Sequence, residues 1–238
     1  MAARGGFFRR LFRYSLGAIC VLLATFAYCW LTLPDVRPLR TQNPTSTAFM
    51  RMRSAQAIAE GKSPAYQQRF VRYNRISPNL VRAVLLAEDA GFWGHGGVDW
   101  AEIKVSLQRN IDQGELLRGA STITQQLAKN LYLSPSRNPY RKLTEWMIAR
   151  RLEAELPKQR ILELYLNLIE WGDGIWGCEA AALRYFGISC SQLSVEQSAL
   201  LAGAIINPRI YSPARPNGRL LRRQQIILGK MAATGGGG

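Results

Sequence analysis

The chain has 238 residues, with 31 Lys or Arg against 16 Asp or Glu and a formal net charge of +15. That length holds one domain with a full core plus extra segments, and 47% hydrophobic with 20% charged residues is the balance of a folded protein rather than a disordered one. The charge calls for an anionic partner (nucleic acid, a membrane surface or a phosphorylated substrate), and only six of the basic residues are Lys, the rest being Arg, whose planar fork suits phosphate.

Residues 1–13 carry Arg4, Arg9, Arg10 and Arg13 and precede Tyr14–Leu33, twenty residues without a charge. About 20 apolar residues span a bilayer as a helix, and the basic flank places the N-terminus in the cytoplasm and the rest of the chain outside. A cleaved signal peptide has a shorter apolar core and a small-x-small site. Here Tyr28 and Trp30 close the stretch like an interfacial belt, so a retained transmembrane helix is expected at 14–33. Export counts against nucleic acid as the partner. Cys20 and Cys29 fall inside the span. Cys178 and Cys190 lie beyond it, where a disulfide and a pair of buried thiols both remain open. No CxxC or HExxH occurs, so no protein-bound transition metal is expected.

Residues 34–66 read as a juxtamembrane connector, with Pro34, Pro38, Pro44 and Pro64 and a Thr/Ser cluster. Tyr66–Tyr73 alternates weakly, like a strand. After it the pattern is helix upon helix. Ser77 and Pro78 open one as N-cap and first helical residue, with Leu80, Val81, Val84 and Leu85 as its buried stripe. Its end carries EDAGFWGH, Glu88 to His95, which holds the only histidine. This is a metal site, a general-base site, or a helix end entering a turn. Carboxylates at a helix C-terminus oppose the helix dipole, which hints at function. The next apolar segment, Trp93 to Leu117, is either core or an amphipathic piece dipping into the membrane.

GASTITQQLAKN, Gly119 to Asn130, reads as a small-residue entry into a helix N-terminus, the form of an anion cradle. On a helix from Thr122, Gln125 and Lys129 share one face and Gln126 and Asn130 the adjacent one. Asn138 and Pro139 cap the following helix, on which Arg141 and Lys142 stand four and three residues before Glu145. Lys158 to Glu170 carries an apolar stripe, WGDGIWG is a glycine-aromatic turn, Cys178–Gly187 is a small-residue helix stopped by Gly187, and Ser194 with Gln197 forms a capping box. A basic amphipathic helix covers about 218–233, and 234–238 is a glycine tail. The fold class is mainly α.

Five of these blocks, in order, resemble the peptidoglycan glycosyltransferases of glycosyltransferase family 51: EDAGFWGH, GASTITQQLAKN, RKLTEWMIARRLE, the run KQRILELYLN through WGDGIWGCEAAALRYFG, and LSVEQSALLAGAIINPRIYSP. The match covers about Tyr66 to Pro213. EWGDGIWG and TSTAFM are similar to the stand-alone members of Gram-negative bacteria. Bifunctional relatives add a transpeptidase with an SxxK nucleophile motif, and none of the six lysines has Ser three residues before it. The resemblance implies a lysozyme-like helical glycosyltransferase domain over 67–233, with a membrane-facing jaw at about 93–118. It implies polymerisation of lipid II: a growing strand held through polyprenyl pyrophosphate is the donor, the GlcNAc 4-hydroxyl of lipid II attacks, and the linkage inverts to β-1,4. Glu88 matches the catalytic base and Glu145 the second essential carboxylate. Asp89, Phe92 and His95 match structural positions. Ser121, Thr122, Gln125, Gln126, Lys129, Asn130, Arg137, Arg141 and Lys142 would bind sugar or phosphate. The pair Glu88–Asp89 is then not a dyad, and His95, with no second ligand at a useful spacing, is a loop brace rather than a metal ligand. No cofactor is expected to be tightly bound, though Mg²⁺ could ride on the substrate pyrophosphate. Expected partners are lipid II, the nascent glycan, the inner membrane, and other cell-wall synthases and division proteins, with the catalytic domain periplasmic. A lytic enzyme of lysozyme-like fold and a non-catalytic membrane-anchored scaffold are the alternatives.

Overall fold

The computed structural model describes residues 2–64, 66–113, 121–134 and 139–235. Arg137, the Asn138 cap, the Gly119–Ala120 entry of GASTITQQLAKN and the end of the expected jaw lie outside the described residues. The chain forms two compact units, Met1–Asp35 and Val36–Gly238.

In the first unit, α1 (Ala2–Leu31) is one continuous helix. It includes the basic residues that the sequence reading set apart as a separate segment. Leu22, Leu23, Phe26 and Tyr28 are exposed along it. Among the described residues, no helix is long and apolar enough to cross a membrane.

The second unit begins earlier than the sequence reading had it. Residues read as a connector fold here: α2 (Ala48–Ala59) starts at Thr47, whose hydroxyl accepts the Met50 N–H at 3.1 Å. Val36, Leu39 and Met50 are buried. Prolines and Thr/Ser residues had suggested a linker, but here they punctuate a helix rather than prevent one. The remaining helices are α3 (Pro78–Glu88), α4 (Trp100–Gln113), α5 (Ile123–Tyr132), α6 (Pro139–Glu155), α7 (Lys158–Leu168), α8 (Cys178–Phe186), α9 (Val195–Ala204) and α10 (Gly218–Gly235). The Ser77 and Ser194 caps form as expected.

At the centre is α7, which buries Ile161, Leu162 and every residue from Leu164 to Leu168. A helix buried over every residue of its last turn must be surrounded there, and α5, α6 and α8 pack on it. Each fully buried Leu or Ile contributes about 1.5–3 kcal/mol. On the other side, α3 lies against α9 and α10, burying Leu80, Ala83 and Val84. The stripe differs from the expected set: Ala83 is buried, while Val81 and Leu85 are only half-buried.

WGDGIWG is more than a turn. It is a hairpin of β2 (Glu170–Gly172) and β3 (Ile175–Trp176), closed by Asp173–Gly174 with Gly174 at φ 70°. Asp-Gly is favoured in such tight turns because glycine accepts positive φ. The Tyr66–Tyr73 alternation gives only β1 (Gln67–Gln68), parallel to β3, in the sheet order β1-β3-β2. What fixes that segment is Asn167 on α7. Its carbonyl accepts the Val71 N–H at 2.8 Å and its amide donates to Val71 O at 2.9 Å, so one side chain stands in for a strand partner.

Candidate active site

The two acids that end α3 diverge. Glu88 is half-buried on the wall of a cavity of about 180 Å³, lined also by Asp99, Glu102, Ser121 and Lys230. Its Oε2 accepts a hydrogen bond from Gln126 Nε2 at 2.9 Å. Gln126 Oε1 in turn accepts the Tyr165 hydroxyl at 2.9 Å. Tyr165 is fully buried on α7, so the rigid core helix fixes which way the Gln126 amide points. Burial pushes the Glu88 carboxyl above the usual carboxylate range. The Gln126 hydrogen bond and the charges of Arg223 and Lys129 pull it back, and neighbouring Asp89 adds to the rise.

Asp89 turns inward. Its Oδ2 accepts the N–H of Ile123, the first residue of α5, at 2.9 Å, a carboxylate at the positive end of a helix dipole. Its Oδ1 lies 2.9 Å from His95 Nε2. His95 Nδ1 accepts the Gly97 N–H at 3.2 Å, so Nε2 carries the proton and donates to Asp89. Phe92 is buried and meets His95 edge-on, at 6.2 Å between ring centroids. Asp89, Phe92 and His95 thus tie the end of α3 to the start of α5. Contrary to the spacing along the chain, two further ligand-type groups approach His95. Atoms of Asp89, His95 and Asp99 all lie within 4.8 Å of one another. Both Asp89 oxygens and Asp99 Oδ1, which accepts the Glu102 N–H at 2.8 Å, already hold hydrogen bonds within the chain. That donor set fits a brace better than a hard-cation cage.

The GASTITQQLAKN residues divide. Thr122 and Gln125 face inward, both buried, and form a capping box in which each side chain satisfies the other's backbone N–H. The Thr122 hydroxyl also donates to Gly97 O at 2.7 Å. Helical spacing puts Gln125 on one face with Lys129 and Gln126 on the adjacent face with Asn130, and the resemblance gives both amides a binding role. A free helix N-terminus needs its own cap, and in the structure Gln126 is the amide that reaches the acid. Asn130 donates to Gln126 O at 2.8 Å. Ser121 accepts Lys142 Nζ at 3.0 Å.

Lys129 is half-buried on α5, and burial lowers its pKa while Glu145 opposes the shift. Arg141, Lys142 and Glu88 also act on it. Glu145 is buried on α6, with Oε2 accepting Arg141 at 2.8 Å and Oε1 accepting Lys142. The α5 and α6 faces therefore carry three cations around one carboxylate. Removing one side of such a buried pair leaves the other charge unpaired.

A second cavity, about 300 Å³, lies on the far side of Gln126 and is lined by Gln126, Lys129, Asn130, Phe49, Arg53 and Glu170 among others. Arg53 Nε donates to Glu170 Oε2 at 3.2 Å, so α2, read as linker, supplies part of this wall. Besides Arg53, Asp99 and Glu102, further groups here were not singled out from sequence. Tyr165 appeared only as part of an apolar stripe, and Glu170 only as a helix end. Arg223 and Lys230 lay on a helix read simply as basic. Lys230 donates to Leu86 O at 3.1 Å beside the Glu88 cavity. Nothing in local spacing distinguishes such residues, because the site groups they act on, Gln126, Arg53, Glu88 and Leu86 respectively, lie 39 or more residues away.

A family model described as transglycosylase matches residues 54–232. The chain is 48% identical over 192 residues to a biosynthetic peptidoglycan transglycosylase of Nitrosomonas eutropha, covering 81% of this chain and 79% of that protein. It is 42% identical over 229 residues to the protein of that name in Nitrosospira multiformis, covering 96% and 98%, and 46% identical over 189 residues to that of Laribacter hongkongensis, covering 79% and 83%.

Proposed function

The chain belongs to the transglycosylase family, and on that premise we propose the following reaction and residue roles. It is a peptidoglycan glycosyltransferase that polymerises lipid II into glycan strands in the cell envelope. The observation that carries the mechanism is Glu88 on a cavity wall, its carboxylate gripped by Gln126 and its pKa raised by burial. A carboxylate with a raised pKa is a stronger base.

Inversion needs the acceptor hydroxyl deprotonated on one face of the anomeric carbon while pyrophosphate leaves from the other. The acceptor 4-hydroxyl sits in the cavity at Glu88, which takes its proton. The donor lies along Gln126, Lys129 and Asn130, where Lys129, with Arg141 and Lys142 beside it, meets the charge that develops on the leaving pyrophosphate. Arg137 belongs with these cations by its place in the sequence. Glu145 orders Arg141 and Lys142 rather than touching sugar. Ser121 binds phosphate alongside Lys142. Thr122 and Gln125 act by holding the start of α5. A divalent ion would be held through the substrate's pyrophosphate and would supply further charge stabilisation beside Lys129, Arg141 and Lys142.

The uncharged run Tyr14–Leu33 behind four arginines supports an anchor in the inner membrane with residues beyond it periplasmic. Exposed Trp93 and Trp100 support a membrane-facing jaw around α4. Other cell-wall synthases and division proteins are the partners this location offers.

Purified protein incubated with lipid II tests the reading. The expected result is β-1,4 glycan strands and free undecaprenyl pyrophosphate. Shortening of added glycan, with no polymer formed, would instead identify a lytic enzyme.

A further inference from the structure

Two buried groups have no part in that chemistry. Cys178 is the first residue of α8, and Cys190 opens the 3-10 turn Cys190–Gln192 that follows it. Gly187 ends α8 in the left-handed region at φ 70°, and the chain folds back. The two sulfurs come to 3.6 Å, both residues fully buried. Glu179, next to Cys178, grips the returning segment: its carboxylate accepts the Cys190 N–H at 2.8 Å and the Ser189 hydroxyl at 3.1 Å. The end of α8 that carries one thiol therefore holds the backbone of the other.

This segment also seats the catalytic helix. Ser77 N–H donates to Cys190 O at 3.1 Å, and the Ser77 hydroxyl and Asn79 amide both donate to Leu193 O, at 3.0 and 3.2 Å. Ser77 caps α3, which ends in Glu88.

We propose that Cys178 and Cys190 form a structural disulfide that clamps α8 to the seat of α3. The sulfurs are already in contact at 3.6 Å, between the ends of a segment that Glu179 holds closed. In the step, the two thiols lose two protons and two electrons as the S–S bond forms. A thiol–disulfide oxidant takes both, its own S–S bond breaking to give two thiols. Hydrogen bonding to Cys178 and burial hold the Cys190 thiol protonated in the closed structure, so attack by a thiolate belongs to folding, before the pair is enclosed. An oxidising compartment rests on the exported reading above; the sulfur geometry does not.

The test uses the full chain in detergent, purified without reductant from cells that export it. A second sample is unfolded and refolded with oxidised glutathione. Each is denatured, alkylated and digested. The expected result is that the Cys178 and Cys190 peptides are recovered joined from either sample and separate only on reduction. Reductant then lowers the melting temperature of the wild type and leaves Cys178→Ala unchanged. Recovery of both peptides singly alkylated from both samples overturns the proposal. Glycan synthesis is read on the same preparations. Joined cysteines in a chain that makes no glycan uphold the disulfide and defeat the function, and separate cysteines in an active chain do the reverse.

Discussion

Gln126 donates its side-chain amide to the Glu88 carboxylate at 2.9 Å, from a helix 38 residues further along the chain. The bond stands between the two cavities, one holding Glu88 and the other Lys129 and Asn130. It supports the ionised form of Glu88 against the burial that disfavours it.

Glu88→Gln keeps the shape and the Gln126 contact and removes the base. Glycan synthesis falls by about 10²–10⁴-fold, the usual contribution of a general base. The folded carboxyl has a raised pKa, so the wild type loses stability as pH rises through it. At neutral pH the variant melts at or above the wild-type temperature. That gap closes in acid, as the wild-type Glu88 becomes protonated. Calorimetry across pH checks the sign, and a variant that is less stable at neutral pH contradicts it.

The acid limb of the pH–rate profile should lie above the ordinary carboxylate value of 4.5, because only ionised Glu88 accepts the proton. Tyr165→Phe frees the Gln126 amide to turn over, so Glu88 loses its donor part of the time. The acid limb moves to higher pH, and the rate at neutral pH drops by about tenfold, the equivalent of one hydrogen bond of roughly 1–1.5 kcal/mol. An unshifted limb in Tyr165→Phe would mean that the Tyr165–Gln126–Glu88 chain does not act as a unit.

Asp89→Asn places an NH₂ against a donor, either Ile123 N–H or His95 Nε2–H. An unsatisfied buried group costs about 1–3 kcal/mol, and each kcal/mol is roughly 2–4 °C in a domain of this size. The melting temperature falls accordingly, and activity falls with it as α5 loosens from α3. Full activity in a destabilised Asp89→Asn chain would separate the brace from the chemistry.

Gly177 precedes α8 with φ 84° and ψ 150°, a region that only glycine occupies readily. A Cβ there would come within 2.7 Å of Asn167 O, which is backbone of the central helix and cannot swing aside. Gly177→Ala therefore lowers stability by about 1–3 kcal/mol or more, measurable by urea unfolding. Gly187, also at positive φ but with open space around it, tolerates Ala better.

By itself, the sequence determined whatever is local. Helix starts at Ser77 and Ser194 could be read because a cap and the amides it satisfies lie within three residues. The mainly helical class followed from apolar periodicity, and the candidate acids and cations followed from motifs in order. Tertiary structure decided the rest, because contact across the fold has no short-range signature. It turned Gln125 into a cap and gave Gln126 to Glu88. It made Tyr165 the anchor of that amide and brought Arg53 and Glu170 into a cavity wall. It also set Asp99 beside His95 and closed 12 residues of chain to put two sulfurs in contact. Spacing along a helix shows which side chains share a face. Which face meets the core and which meets the catalytic carboxylate depends on helices packed from elsewhere in the chain.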